Sequence, residues 1–220
     1  MMQRHPTRPP EQRSRLRLAL ALTLVLDMGA IAARADDRHL VHDFAPRADA
    51  GLVNVVVEIP AGTNAKWEVV KESGTLEWQQ RDGRPRVVSY LAYPGNYGMI
   101  PRTLLPTELE GDGDPLDVII LGPALERGSV AAVKLIGVLE LLDGGAQDDK
   151  LIAVQPGESL GEVSNLAELD VRYAGVSQII ELWFSNYKGP GRMEAKGFGD
   201  LNRAEQILDA AIAAYVEASR

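Results

Sequence analysis

Three carboxylates, Asp112, Asp114 and Asp117, fall within Gly111–Asp117, which reads GDGDPLD. Like charges this close raise one another's pKa unless cations or hydrogen bonds offset the repulsion. Gly113 and Pro115 mark a tight turn, and the apolar run Val118–Leu121 that follows reads as a short buried strand. Acids on a turn anchored to a rigid strand make a good mounting for hard cations such as Mg2+. A solvated acidic turn is the plain alternative. A calcium loop of the EF-hand type is excluded, because it needs a third ligand at its fifth position, Gly at the sixth and Glu at the twelfth. Counted from Asp112, those positions hold Leu116, Asp117 and Pro123.

A second acidic turn, Asp143–Lys150 (DGGAQDDK), lies between the strand-like segments Ser129–Leu142 and Leu151–Val154. Two such turns in one β-rich chain look like opposite walls of a metal site. The elements that must hold them start with Leu52–Ile59, a β-branched strand ending at Pro60 with Glu58 near its end. In Lys66–Val70, period-two alternation puts Lys66 and Glu68 on one face and Trp67 and Val69 on the other. Leu76–Gln80 follows, and Asp82-Gly83 signals a hairpin into Arg86–Leu91. Short strands spaced in this way predict a small barrel. Tyr93 and Tyr97 stand four apart in the loop YPGNYG, and Ser129–Leu142 is expected to break at Gly137. The remainder reads as helical. Val176, Ile179, Ile180, Trp183, Phe184 and Tyr187 keep the spacing of an apolar stripe, and Gly189-Pro190-Gly191 stops that helix after Lys188. Residues 192–200 read as a Gly-punctuated loop, and Arg203–Ala218 as a closing helix with Ile207, Leu208, Ala211, Ile212, Tyr215 and Val216 inward.

The first 35 residues differ in kind. Arg4, Arg8, Arg13, Arg15 and Arg17 lead into an apolar stretch, Leu18–Leu26, and Ala33-Arg34-Ala35 offers small residues where a signal peptidase reads. A transmembrane anchor needs about 20 apolar residues, and Asp27 cuts this stretch at nine. Residues 1–35 are therefore expected to be a signal peptide, with a disordered or membrane-skimming extension the alternative, and 36–220 one mature domain, periplasmic or secreted and otherwise cytoplasmic, with no stable membrane association after cleavage. The leader holds six of the 23 basic residues and, as Glu11 and Asp27, two of the 31 acidic ones. The mature part keeps 17 basic and 29 acidic residues, a net charge of −12. Such a field repels nucleic acid and anionic membranes, so an anionic substrate must arrive with cations. With no cysteine, disulfides, thiolate chemistry and Cys-zinc sites are excluded.

From about Val53 to Ala214 the chain resembles the family I soluble inorganic pyrophosphatases. The Asp-x-Asp-Pro-apolar-Asp of Asp112–Asp117 is that family's hallmark. Glu58 in VVEIP, Lys66 and Glu68 in NAKWE, Tyr93 and Tyr97 in YPGNYG, Asp143, Asp148 and Lys150 in DGGAQDDK, and Tyr187-Lys188 in FSNYK follow in the family's order. The resemblance implies an α+β fold, a five-stranded OB-like barrel with flanking helices, and hydrolysis of diphosphate to two orthophosphates with several Mg2+ ions. It also implies a homo-oligomer. By the same resemblance Asp112, Asp117 and Asp148 would hold the first metal, Asp117 bridging to a second. Asp143 and Asp148 would hold a third and Glu68 a fourth, with Glu58 orienting coordinated water. Asp114 would be the general base. Lys66, an arginine, Tyr97, Lys150, Tyr187 and Lys188 would hold phosphate oxygens, with Tyr93 supporting the pocket.

Two departures stand out. The segment before Tyr93 is longer than in typical bacterial members, so the arginine has three candidates: Arg81 is expected at a strand end, Arg86 is second and Arg84 third. Most relatives also lack an export signal. Two rival readings remain open: a hydrolase turned to nucleotides or polyphosphate, and a non-catalytic metal- or oligomer-binding OB module. No aromatic platform is set aside for a base, and a binding module has no need of Asp114.

Overall fold

The computed structural model describes residues 33–34, 38–105, 111 and 113–220. Residues 1–32, 35–37, 106–110 and 112 lie outside them, and with them most of the expected signal peptide. A two-residue β1 (Ala33–Arg34) precedes β2 (Val53–Ile59), whose apolar side chains are all buried and which stops at Pro60. β3 (Trp67–Val69) and β4 (Leu76–Trp78) pair as a side ribbon. β5 (Gln80–Arg81) and β6 (Arg84–Pro85) form a hairpin turning on Asp82-Gly83, both with positive φ, 53° and 70°. That is the geometry an Asp-Gly pair favours. β7 (Asn96–Met99), β8 (Asp117–Leu121), β9 (Ser129–Asp143), β10 (Ala146–Gln147) and β11 (Lys150–Val154) follow. The chain closes with α1 (Leu166–Arg172), α2 (Val176–Asn186), β12 (Met193–Gly199) and α3 (Leu201–Ala218).

Five strands form a ring. β9 pairs with β11, β11 with β8, β8 with β7, β7 with β2, and β2 returns to β9. Closure removes the open edges a flat sheet would expose, and the result is the OB-like barrel expected. One pairing in the ring is parallel: β8 and β11 run together from Asp117 beside Lys150 to Leu121 beside Val154.

Strand alternation feeds two cores. Val118 and Ile120 pack with Ala204, Ile207, Leu208 and Ala211 of α3, whose first turn is capped by Asp200 accepting from Arg203 N at 2.9 Å. Ile119 and Leu121 pack instead with Ile180, Trp183 and Phe184 of α2. Among the described residues no helix is long and apolar enough to cross a membrane.

Several expectations are corrected. β9 runs unbroken through Gly137; the register of β11 against it shifts there instead. A side chain at Gly137 would strike Leu166, at 2.4 Å. Residues 193–199 are not a loop but β12, laid along β9 with its own register shift at Gly197. Arg86–Leu91 is not a strand: it drapes over α2, where Trp183 Nε1 donates to the Leu91 carbonyl at 2.9 Å. Ile179 and Val216, expected inward, are 57% and 47% exposed.

Gly98 sits where β7 crosses β2 most closely. A Cβ there would lie 1.9 Å from the Val56 carbonyl oxygen, a backbone atom of the paired strand. Gly98→Ala is expected to destabilise the fold by about 3 kcal/mol, the upper part of the usual range for overpacking. Urea unfolding of the variant checks this, and unchanged stability would show that the β2–β7 pairing yields there.

Candidate active site

Asp117 opens β8 and Lys150 opens β11, so the parallel register sets them side by side. Lys150 Nζ donates to Asp117 Oδ2 at 2.7 Å, to Asp148 Oδ1 at 2.5 Å and to the Asp148 carbonyl at 2.8 Å. The lysine side chain is 1% exposed. Burial pulls its pKa down, but the two carboxylates outweigh that and hold the ammonium charged. Burial pushes Asp117 up, yet Lys150 and Lys66 bring it below the usual carboxylate range. Asp148, also pushed up by burial and further by the Asp117 charge, stays above it despite Lys150. One ammonium serves two acids, and Asp117 keeps its charge more firmly.

Asp117 and Asp148 line a cavity of about 500 Å3. Of the acids expected there, Glu58, Glu68, Asp114, Asp117, Asp143 and Asp148 all line it, together with Lys66, Tyr97, Tyr187 and Lys188. Lys150 lies behind the carboxylates and does not line it. Nor does Tyr93, which is 2% exposed. Its ring packs 5.2 Å from that of Tyr97 and 4.3 Å from that of Trp183, supporting the wall from behind.

Glu58, next to last in β2, is buried. Desolvation lifts its pKa to about 7, against the pull of Lys66, while the Val69 N–H donates to Oε1 at 2.8 Å. Burial likewise raises Tyr97 and Tyr187, so both hydroxyls stay neutral donors. Lys66 Nζ lies 4.9 Å from the Tyr97 ring centroid. Tyr187 caps the C-terminus of α2, Lys188 comes next, and Gly189 follows with φ of 98°. Lys188 Nζ reaches Asp143 Oδ2 at 2.5 Å and Asp148 Oδ2 at 3.8 Å. Burial lowers the Lys188 pKa, but neighbouring Tyr187 and the acids Asp143 and Asp148 raise it overall.

The structure places Arg86, not Arg81, in this cavity. The β5–β6 hairpin carries Arg81 and Arg84 outward to exposed positions, whereas Arg86 sits at its base. There Arg86 N donates to the Gln79 carbonyl at 2.8 Å and Lys66 N to the Arg86 carbonyl at 3.0 Å. Gln79 bridges the Arg86 guanidinium and the Glu68 carboxylate.

The acidic turn is fixed by backbone bonds: Gly113 N to the Leu105 carbonyl and Leu105 N to the Asp114 carbonyl, each 2.9 Å. Gly113, at φ of 77°, permits the turn. Lys71 Nζ reaches Asp114 Oδ1 at 2.5 Å and the Gly113 carbonyl at 3.0 Å. Lys71 and Gln79 are functional neighbours that sequence reasoning missed. Both lie just outside the ends of short strands, where no alternation marks a side chain's direction. Asp149, between two site residues, turns away: it accepts from Leu141 N at 3.0 Å and from Gln147 Nε2 at 2.6 Å, clamping the second acidic turn.

Among the described residues no three Asp, Glu, His or Cys side chains are gathered tightly enough to hold an ion, and Asp112 is not among those residues. The donor chemistry nonetheless fits a hard divalent cation. Every candidate ligand is a carboxylate oxygen, as Mg2+ prefers. Glu58, whose charge burial disfavours, is the group a nearby cation would restore to its ionised form.

A family profile described as inorganic pyrophosphatase matches residues 55–216. The Gluconobacter oxydans inorganic pyrophosphatase is 35% identical over 166 residues, 74% of this chain and 90% of that one. Inorganic pyrophosphatase 1 of Caenorhabditis elegans is 34% identical over 182 residues, and there the match takes in 73% of this chain but only 43% of the worm protein. The solved Helicobacter pylori inorganic pyrophosphatase superposes with a TM-score of 0.66 at 34% identity, covering 79% of this chain and 99% of that one. The fold, the ordered acids and the extent of these matches agree: the chain belongs to the inorganic pyrophosphatase family.

Proposed function

We propose that the cavity hydrolyses inorganic diphosphate to two orthophosphates with Mg2+. The observation that supports this most is that one cavity is lined both by an oxygen-only acid set and by the donors Lys66, Arg86, Tyr187 and Lys188. Diphosphate bound with its cations needs both. Asp117, Asp143, Asp148 and Glu68, with Asp112, would hold Mg2+, and Glu58 would orient coordinated water. When bound, the ions would lower the pKa of coordinated water and offset the charge of the phosphates.

The side chains then divide the remaining work. Asp114 takes the proton of the attacking water, and Lys71, bonded to Asp114 Oδ1, aims that carboxylate. The Arg86 guanidinium presents a planar fork to phosphate oxygens, steadied from behind by Gln79. Lys66 and Lys188 add positive charge, and the neutral Tyr97 and Tyr187 hydroxyls donate to oxygens that gain charge as the bridging bond breaks. Lys150 keeps Asp117 ionised from below.

Asp114→Asn is expected to lower turnover by about 10²–10⁴, the usual worth of a positioned base, and to keep most Mg2+ affinity. Asp117→Ala should lose both, and by leaving Lys150 with one acid fewer should cost about 3–5 kcal/mol of stability. Phosphate release beside Mg2+ calorimetry on the two variants separates the roles. Near-normal turnover by Asp114→Asn would remove it as the base.

For the arginines, Arg86→Ala is expected to reduce kcat/KM about ten- to a hundred-fold, as for a lost charge-assisted bond. Arg81→Ala should be much milder toward diphosphate. Kinetics with the order reversed would return the role to Arg81.

We further propose that the leader directs export, a reading that rests on its basic start, its apolar stretch and Ala33-Arg34-Ala35. The mature protein is expected to begin at Asp36. Intact mass of the periplasmic fraction tests it, and residues 1–35 retained on cytosolic protein would overturn it.

A further inference from the structure

Beside the inner cavity lies a second one, of about 690 Å3, whose charged lining is Arg81, Arg86, Lys188 and Arg192 against the single acid Asp143. Arg86, Asp143 and Lys188 line both cavities, so the two adjoin across these side chains. Asp143 is already matched by Lys188 at 2.5 Å. In a chain of net charge −8, this leaves a local excess of cations facing open space next to a phosphate site. A diphosphate in the inner cavity has no need of Arg81 or Arg192.

Both outer arginines are held by backbone features. Arg81 stands beside the Asp82-Gly83 turn of the β5–β6 hairpin. Arg192 precedes β12, and its carbonyl accepts from Gly144 N at 3.2 Å, which ties it to the turn that carries Asp143. The one ring in the lining, Tyr187, is already stacked on Trp183 at 4.7 Å and 14°. This annex suits charge rather than a nucleobase.

We propose that Arg81 and Arg192 form an outer anion subsite that takes the third phosphate of a linear inorganic polyphosphate whose end two phosphates occupy the inner cavity. The inference rests on the diphosphate reading of that cavity. Arg86 and Lys188, at the junction, face the phosphate shared by both subsites. A cationic annex of this kind selects for chain length: each added phosphate brings negative charge to a place where charge is met by arginine forks.

The test is diphosphate hydrolysis with Mg2+, titrated with linear triphosphate as competitor. Arg192→Ala and Arg81→Ala are each expected to raise the apparent inhibition constant of triphosphate about ten-fold, as for loss of one charge-assisted contact. KM and kcat for diphosphate should stay within about two-fold, the scale expected of exposed charges. Arg192→Lys should recover part of the loss. Equal shifts for triphosphate and diphosphate, or none for either, overturn the subsite. So does a change confined to inhibition by orthophosphate, which would make the annex a product path. If the wild type releases no phosphate from diphosphate, the diphosphate reading falls instead. Calorimetry of triphosphate with Mg2+ on the wild type and the same variants, with phosphate release from triphosphate followed alongside, then decides the subsite by the same ten-fold criterion.

Discussion

The ion cluster of Lys150 with Asp117 and Asp148 is the constraint around which the rest is arranged. A buried ammonium is tolerated only with its charge matched and its protons bonded, and Lys150 meets both conditions through three acceptors. Those acceptors come from two separate stretches of chain. They converge because β8 and β11 run parallel and in register. Shift that register by one residue and the lysine faces the other side of the sheet. The barrel's one parallel pairing and the site's electrostatic floor are thus the same feature seen at two scales.

The aromatic wall solves a different problem. Tyr93, Tyr97, Trp183, Phe184 and Tyr187 pack ring against ring between β7 and α2. This packing fixes where α2 ends, and therefore where Tyr187 and Lys188 enter the cavity. It also dries the hydroxyls enough to keep them protonated. A helix that looks like scaffold delivers two side chains of the site just past its C-terminus.

Much of this was legible in the chain itself, and unevenly so. The strands of the barrel announce themselves because β-branched runs end at Pro60 or at acidic turns, and burial of both faces makes them continuous in hydrophobicity. The acids of the two turns were legible from type and spacing alone. Arg86 was not: Arg81 and Arg86 flank one hairpin, and only the tertiary path of its base tells which points inward. Lys71 was missed because the bond to Asp114 that places it joins distant parts of the chain, and Gln79 and Asp149 because bonds across nearby turns, rather than a strand's alternation, set their direction. β12 read as a loop because its glycines look like breakers, whereas Gly197 serves a register shift against β9. Ile179 and Val216 followed helical spacing yet lie beyond the edge of the stripe that the barrel covers.

Ring closure by β2 and β9 has a further consequence, for the order in which the molecule can come into being. Val53 must wait for Val133 before its strand has both neighbours, and Asp117 must wait for Lys150. Contacts this far apart in the chain make the loop-closure cost large before any pairing rewards it, which slows folding. A nascent chain that has emerged only as far as β8 therefore carries its acids as a dispersed, hydrated string. The pocket is complete only once β11 is seated in the ring and Tyr187 and Lys188, further along the chain, have reached it.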